Sequence, residues 1–97
     1  DLRAEYDVRR QFMLARLQAI PNISIVEPEG AFYFFVNCEK LGMKSVNLCD
    51  KLLNRYRVAA VPGIAFGNDN CIRISYCTTL DVLNEGVSRF EEFCRAH

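Results

Sequence analysis

The chain has 97 residues, 51% hydrophobic and 25% charged, which is the composition of a folded globular domain and not of a disordered segment. Twelve Lys and Arg balance twelve Asp and Glu, so the formal net charge is zero. Dedicated binders of nucleic acid or of anionic membrane surfaces carry a basic surplus, and both classes are set aside on that ground.

A chain of this length buries about 60–65% of the surface its unfolded form exposes, so residues 1–97 are expected to form one small domain with little margin. The start, Asp1-Leu2-Arg3-Ala4-Glu5, is charged and helix-like and lacks an initiator Met. It shows no apolar leader and reads as cut from something longer, or processed. A first helix is predicted over 2–19, ending before the turn signal Pro21-Asn22. Its apolar residues fall on two separate stripes, one of Leu2, Tyr6, Met13, Leu17 and Ile20, the other of Val8, Phe12, Ala15 and Ala19. A helix of a free-standing small domain needs one such face. Two imply that it lies between this domain and something else, with an exposed apolar patch around Val8 and Phe12.

Residues 23–27 alternate like a half-buried strand, and Pro28-Glu29-Gly30 reads as a tight connection. Residues 31–36 (Ala-Phe-Tyr-Phe-Phe-Val) are apolar on both sides, as in a central strand covered on both faces. Ser45 is placed to cap a second helix over 46–56, with an apolar stripe of Val46, Cys49, Leu52, Leu53 and Tyr56. A short strand over 58–61 leads into a loop rich in turn residues, 62–70, and then a strand over 71–76. Thr79 or Thr78 caps a last helix that buries Leu80, Leu83, Val87, Phe90 and Cys94 and turns Asp81, Asn84, Ser88, Glu92 and Arg95 outward. The order α-β-β-α-β-β-α predicts an α/β fold of the α+β two-layer kind: a small mixed, largely antiparallel sheet packed with three helices.

Little in the sequence can do chemistry alone. The only His is the last residue, which excludes a Ser/His/Asp arrangement, and neither GxGxxG nor GxxxxGK occurs. Five cysteines, none in a CxxC pair, read as free thiols packed as small hydrophobes in a reducing, cytoplasmic setting, and no metal-ligand cluster is visible. Lys40, Lys44 and Lys51 read as solvated surface around the second helix. No apolar run approaches the ~18 residues of a membrane-spanning helix.

One residue stands apart. In Cys71-Ile72-Arg73-Ile74-Ser75-Tyr76 the alternation sends Ile72, Ile74 and Tyr76 to one face and Cys71, Arg73 and Ser75 to the other. Small neighbours leave room around the Arg73 guanidinium, whose planar fork suits a bidentate grip on a carboxylate or phosphate. The plainer alternative is an arginine on the wet face of a strand. Pro62-Gly63 and Phe66-Gly67 frame the preceding loop, which is either a binding loop or a simple connection. Phe32 and Tyr33 read as core on pattern alone.

Four segments in order carry a resemblance: Tyr6-Asp7-Val8-Arg9-Arg10-Gln11-Phe12 followed by Leu17; Pro28-Glu29-Gly30-Ala31-Phe32-Tyr33; Val61-Pro62-Gly63-Ile64-Ala65-Phe66-Gly67; and Ile72-Arg73-Ile74-Ser75-Tyr76. Together they resemble the C-terminal small domain of fold-type-I pyridoxal-phosphate aminotransferases of class I/II, nearest the bacterial-type aspartate aminotransferase group. The resemblance implies a homodimer in which a large domain binds pyridoxal phosphate and carries its lysine, while the small domain moves over the substrate. It implies that Arg73 grips the α-carboxylate of an aspartate-like or aromatic amino acid, and that Phe32 lines the cleft. In the same picture Gly63 and Gly67 are structural. The family's cofactor-binding residues and N-terminal arm are not in this sequence, so the chain alone is expected to be inactive and to bind no cofactor. Cys77 stands where the family more often has Ala. The partners implied are the chain's own large domain, a second subunit and a small amino-acid or 2-oxo-acid substrate. Two other readings stay open: a stand-alone carboxylate-binding or regulatory module, and the small domain of a non-transaminating relative such as a lyase or decarboxylase.

Overall fold

The computed structural model describes residues 2–26, 33–76 and 78–96. The expected connection 28–30, Phe32, Cys77 and His97 lie outside the described residues. The observed elements are α1 (Leu2–Gln18), β1 (Ser24–Val26), β2 (Tyr33–Asn37), α2 (Ser45–Tyr56), β3 (Val61–Pro62), β4 (Cys71–Ser75) and α3 (Leu80–Ala96). Short 3-10 turns occupy Glu39–Leu41 and Gly63–Phe66. The expected α-β-β-α-β-β-α order is therefore the observed one. The four strands run in the order β1-β2-β4-β3, with every pairing antiparallel.

Strand alternation sorts the sheet into two unlike faces. Phe34, Val36, Ile72 and Ile74 are buried together with Met13 and Leu17 of α1, Leu48 and Leu52 of α2, and Leu83, Val87, Phe90 and Phe93 of α3. All three helices thus cover one face. The other face carries Tyr33, Phe35 and Arg73, each half-buried, and Ser75, which is exposed. The expectation that β2 is covered on both sides is corrected here. β2 is central, but the apolar residues on its second face are aromatic rings that shelter one another and a cation.

The helix ends show where tertiary structure overrides local signals. α1 closes with 3-10 hydrogen bonds from Ala19 N–H to Arg16 O (3.3 Å) and Ile20 N–H to Leu17 O (3.1 Å), ahead of Asn22 at φ 67°. Ser45 does not cap α2; Lys44 occupies that position, and Ser45 is buried at 1% exposure. α2 ends with Val58 N–H bonded to Leu52 O (3.0 Å) and Arg57 in the left-handed region at φ 60°. The chain then needs residues 57–60 to turn back to the sheet, which reduces the strand expected over 58–61 to Val61–Pro62. Pro62 is accommodated because β3 is an edge strand that pairs only with β4. Thr79 caps α3 as expected, its carbonyl accepting from Leu83 N–H (3.0 Å) and its hydroxyl facing Val82 N–H (3.4 Å).

The apolar stripe of α2 is rotated from its predicted position, and that of α3 holds at Leu83, Val87, Phe90 and Cys94 but not at its first residue. On α2 the buried residues are Ser45, Leu48, Cys49 and Leu52, while Val46 and Leu53 are exposed, the latter at 52%. Burial of Ser45 turns the helix that way. On α3 Phe93 is fully buried and Leu80 is 41% exposed. The Phe93 ring meets Tyr56 of α2 edge-on at 5.4 Å, while Leu80 is the first residue of α3.

α1 buries Met13 and Leu17, with Ile20 just beyond its end, leaves Val8 56% exposed, and half-buries Phe12 against the core. The expected patch is thus open at Val8 and partly closed at Phe12. Arg16 spans α1 and α3: its guanidinium donates to Asn84 Oδ1 (2.6 Å) and Ser88 Oγ (2.9 Å), lies 3.9 Å from Glu91, and sits over the Phe12 ring at 5.8 Å. Arg16→Ala should lower stability by about 1–2 kcal/mol, read as a lower urea midpoint at unchanged slope.

Cys38, Cys49, Cys71 and Cys94 are free and buried. Burial pushes the Cys49 thiol from 9.0 up to about 11, with Asp50 adding to it, and Cys94 up to about 12, with Glu91 adding. Cys38 is raised further still, by burial and then by the thiols of Cys94, Cys71 and Cys49. The unfolded chain ionises these thiols near pH 9 while the folded chain keeps them protonated. Their contribution to stability is therefore complete below pH 9 and is lost as pH rises through the folded values. Urea midpoints measured from pH 8 upward should fall progressively above pH 9, and native thiols should react slowly with a disulfide reagent at pH 8. A midpoint constant up to pH 11 would contradict this account.

Candidate functional site

β4 sits between β2 and β3, and its pleat carries Arg73 to the face without helices. The register sets Val26, Phe35, Arg73 and Val61 in one row across the four strands. One step along the β2–β4 ladder, Tyr33 lies opposite Ser75. The guanidinium carbon of Arg73 is 4.7 Å from the centre of the Tyr33 ring and 4.8 Å from that of Phe66. Phe35 meets both rings edge-on, Tyr33 at 5.5 Å and Phe66 at 5.6 Å. Ring faces carry partial negative charge, so each such contact favours the cation by about 0.5–1 kcal/mol at a partly exposed site. Among the described residues no carboxylate pairs with Arg73 and none accepts a hydrogen bond from it. The rings flank the guanidinium and leave its N–H groups as donors.

Phe66 reaches Arg73 from outside the sheet. It closes the 3-10 turn that starts at Gly63, directly after β3. Gly67, at φ 86°, ends that turn with its N–H on Ile64 O (3.1 Å), and Asn68 N–H bonds to Gly63 O (2.9 Å). Gly63 is required for a different reason. A Cβ there would lie 2.1 Å from Cys71 O and 2.2 Å from Asn68 O. The turn thus lies against the start of β4 in close backbone contact.

The sequence expectation for Arg73 therefore stands in its placement and is corrected in its surroundings. The space beside the guanidinium is not set by small neighbours alone; Cys71 is buried, and rings from β2 and the 3-10 turn flank it. Tyr33, expected in the core, is half-buried on the helix-free face. Phe66 was not singled out by pattern, although the glycines framing its loop marked a segment with unusual geometry. Phe32 lies outside the described residues. Lys40 lies in the turn 39–41, Lys44 just before α2, and Lys51 on α2, so no lysine stands on any strand beside Arg73. A 340 Å³ apolar hollow beside α1 and α3 includes neither Arg73 nor the rings around it.

Residues 1–90 match the family described as aminotransferase class I and II. The chain belongs to the class I and II aminotransferase family. Within it, the chain is 39% identical to an aspartate aminotransferase of Pyrococcus horikoshii over 94 residues, covering 95% of this chain and 24% of that protein. It is likewise 39% identical to the aspartate aminotransferase of Bacillus subtilis, covering 100% of this chain and 26% of that protein. The fold superposes on an aromatic aminotransferase from Pyrococcus horikoshii with a TM-score of 0.89 at 37% identity, covering 98% of this chain and 26% of that one. This class I and II aminotransferase chain thus spans about a quarter of the length of these relatives. Among the described residues no helix is long and apolar enough to cross a membrane, and no group of His, Cys, Asp and Glu is placed to hold a metal ion.

Proposed function

We propose that this chain is the C-terminal small domain of a pyridoxal-phosphate-dependent aminotransferase, and that Arg73 binds the α-carboxylate of its amino-acid substrate. The observation that carries the reading is the Arg73 guanidinium, held over two ring faces with no carboxylate partner among the described residues. A planar fork flanked this way offers paired N–H donors to the two oxygens of one carboxylate, which orients the substrate as well as binding it. Phe66 and Phe35 flank the site.

The reaction of the full-length protein is transfer of an amino group from an α-amino acid, aspartate-like or aromatic, to a 2-oxo acid. The names of the similar proteins, aspartate and aromatic aminotransferases, support that substrate class. The described residues do not fit a pyridoxal phosphate site of their own, since none of the three lysines shares the face that carries Arg73. The cofactor and its lysine belong to a large domain outside this sequence, and the isolated chain is inactive. The exposed side of α1 around Val8 faces the rest of the longer protein, which is a homodimer. The free thiols fit a reducing, cytoplasmic location. Exchange of Arg73 for Lys in the full-length protein is the direct test, because amino-group transfer survives it only if another group holds the carboxylate.

A further inference from the structure

We infer that Ser45 and Asp69 form a latch that holds the Gly63–Phe66 turn against α2 and so positions Phe66 over Arg73; the inference rests on the reading of Arg73 as the carboxylate-binding residue. Ser45 is the one polar residue among the described residues that is buried. Its hydroxyl donates to Asp69 Oδ1 (2.7 Å) and accepts from Ile64 N–H (3.2 Å). The Ser45 N–H, left without an intrahelical acceptor at the first position of α2, is met by Asp69 Oδ1 (3.1 Å) and Asp69 O (3.0 Å). One carboxylate and one hydroxyl therefore join three segments: the start of α2, the 3-10 turn and the loop before β4.

The geometry makes the latch directional. Ile64 is the second residue of the turn and Phe66 the fourth, so the hydrogen bond at Ile64 N–H fixes the turn two residues before the ring that meets Arg73. Phe66 is itself 47% exposed, and its ring contacts are with Phe35 and Arg73 on the same face, so the turn sets where the ring lies. Hydrogen bonds from Ser45 keep the Asp69 carboxyl below its ordinary value, so it serves as an ionised acceptor at neutral pH. Lys44 Nζ, 3.8 Å from Asp69 Oδ2 and largely solvent-exposed, adds little. Asp69 and Ser45 touch neither Arg73 nor a substrate; they are positioning residues.

The test uses the full-length holoenzyme and two readouts, the split between KM and kcat for the amino-acid donor and the Ki of propionate, a plain monocarboxylate, as competitor. Asp69→Ala should raise both KM and Ki about tenfold while kcat stays within about threefold, because the loosened ring no longer aligns the fork. Asp69→Asn keeps an acceptor oxygen for both Ser45 donors and should restore KM and Ki to near their original values. Should Asp69→Ala fail to fold, Ser45→Ala, which removes a single hydroxyl, takes its place with the same expected outcome. Unchanged KM and Ki in the Ala variant would overturn the latch, and so would an Asn variant as impaired as the Ala one. Arg73→Lys, run alongside, separates the two inferences. If it leaves Ki unmoved, the reading of Arg73 fails; if it raises Ki and Asp69→Ala does not, the latch alone fails.

Discussion

Arg73→Lys in the full-length protein should lower kcat/KM for the amino-acid substrate by about a hundredfold or more, on the order of 3 kcal/mol of lost transition-state stabilisation. Charge is conserved in this exchange, so the loss measures geometry. An ammonium is a point charge with rotating donors, whereas the guanidinium presents two parallel N–H groups in a plane. Here the guanidinium is flanked by the rings of Tyr33 and Phe66, 4.7 and 4.8 Å from its carbon. A lysine ammonium has no such plane and cannot address both carboxylate oxygens at once. The far-ultraviolet spectrum and thermal midpoint should change little, because Arg73 forms no salt bridge among the described residues whose loss would unfold the sheet. Near-normal turnover by the Lys variant would remove Arg73 from the site.

Gly63→Ala should destabilise this chain by about 3 kcal/mol or more, a large share of the stability of a domain of this size. The new methyl would lie 2.1 Å from Cys71 O and 2.2 Å from Asn68 O, both backbone atoms that cannot rotate away. Relief requires the 3-10 turn to lift from β4. Gly67→Ala is the informative contrast. It meets nothing within 4 Å, and its cost is confined to holding an alanine at φ 86°, about 1 kcal/mol. Urea denaturation of the two variants side by side checks the ordering. Equal midpoints would mean that the turn is free to move.

The elements were legible because each carries its own period. The alternation of Ile72 and Ile74 with Arg73 was enough to place the guanidinium on the face away from the core, and the turn signals at Pro21-Asn22 and Thr79 set helix limits close to those observed. What surrounds Arg73 was not legible in the same way. Tyr33 reaches it through the β2–β4 register and Phe66 through a turn that follows a different strand, and neither relation leaves a local pattern. Ser45 shows the same limit from the other side. A serine ahead of an apolar run is a cap by local rule, yet here its partner is Asp69, brought in from the loop before β4. The rotated stripe of α2 and the added Phe93 of α3 go with contacts between elements, Ser45 with Asp69 and Phe93 with Tyr56, which no single helix encodes.

The ring-flanked guanidinium also bears on how a ligand would enter. In many proteins a solvent-facing arginine has a resident anion that an incoming acid must evict, and the exchange consumes much of the attraction between newcomer and cation. Among the described residues Arg73 has no such occupant. The ring faces carry only partial negative charge, so among the described residues no full anion stands on the guanidinium. The cation is thus kept in place by neighbours that leave its charge unspent.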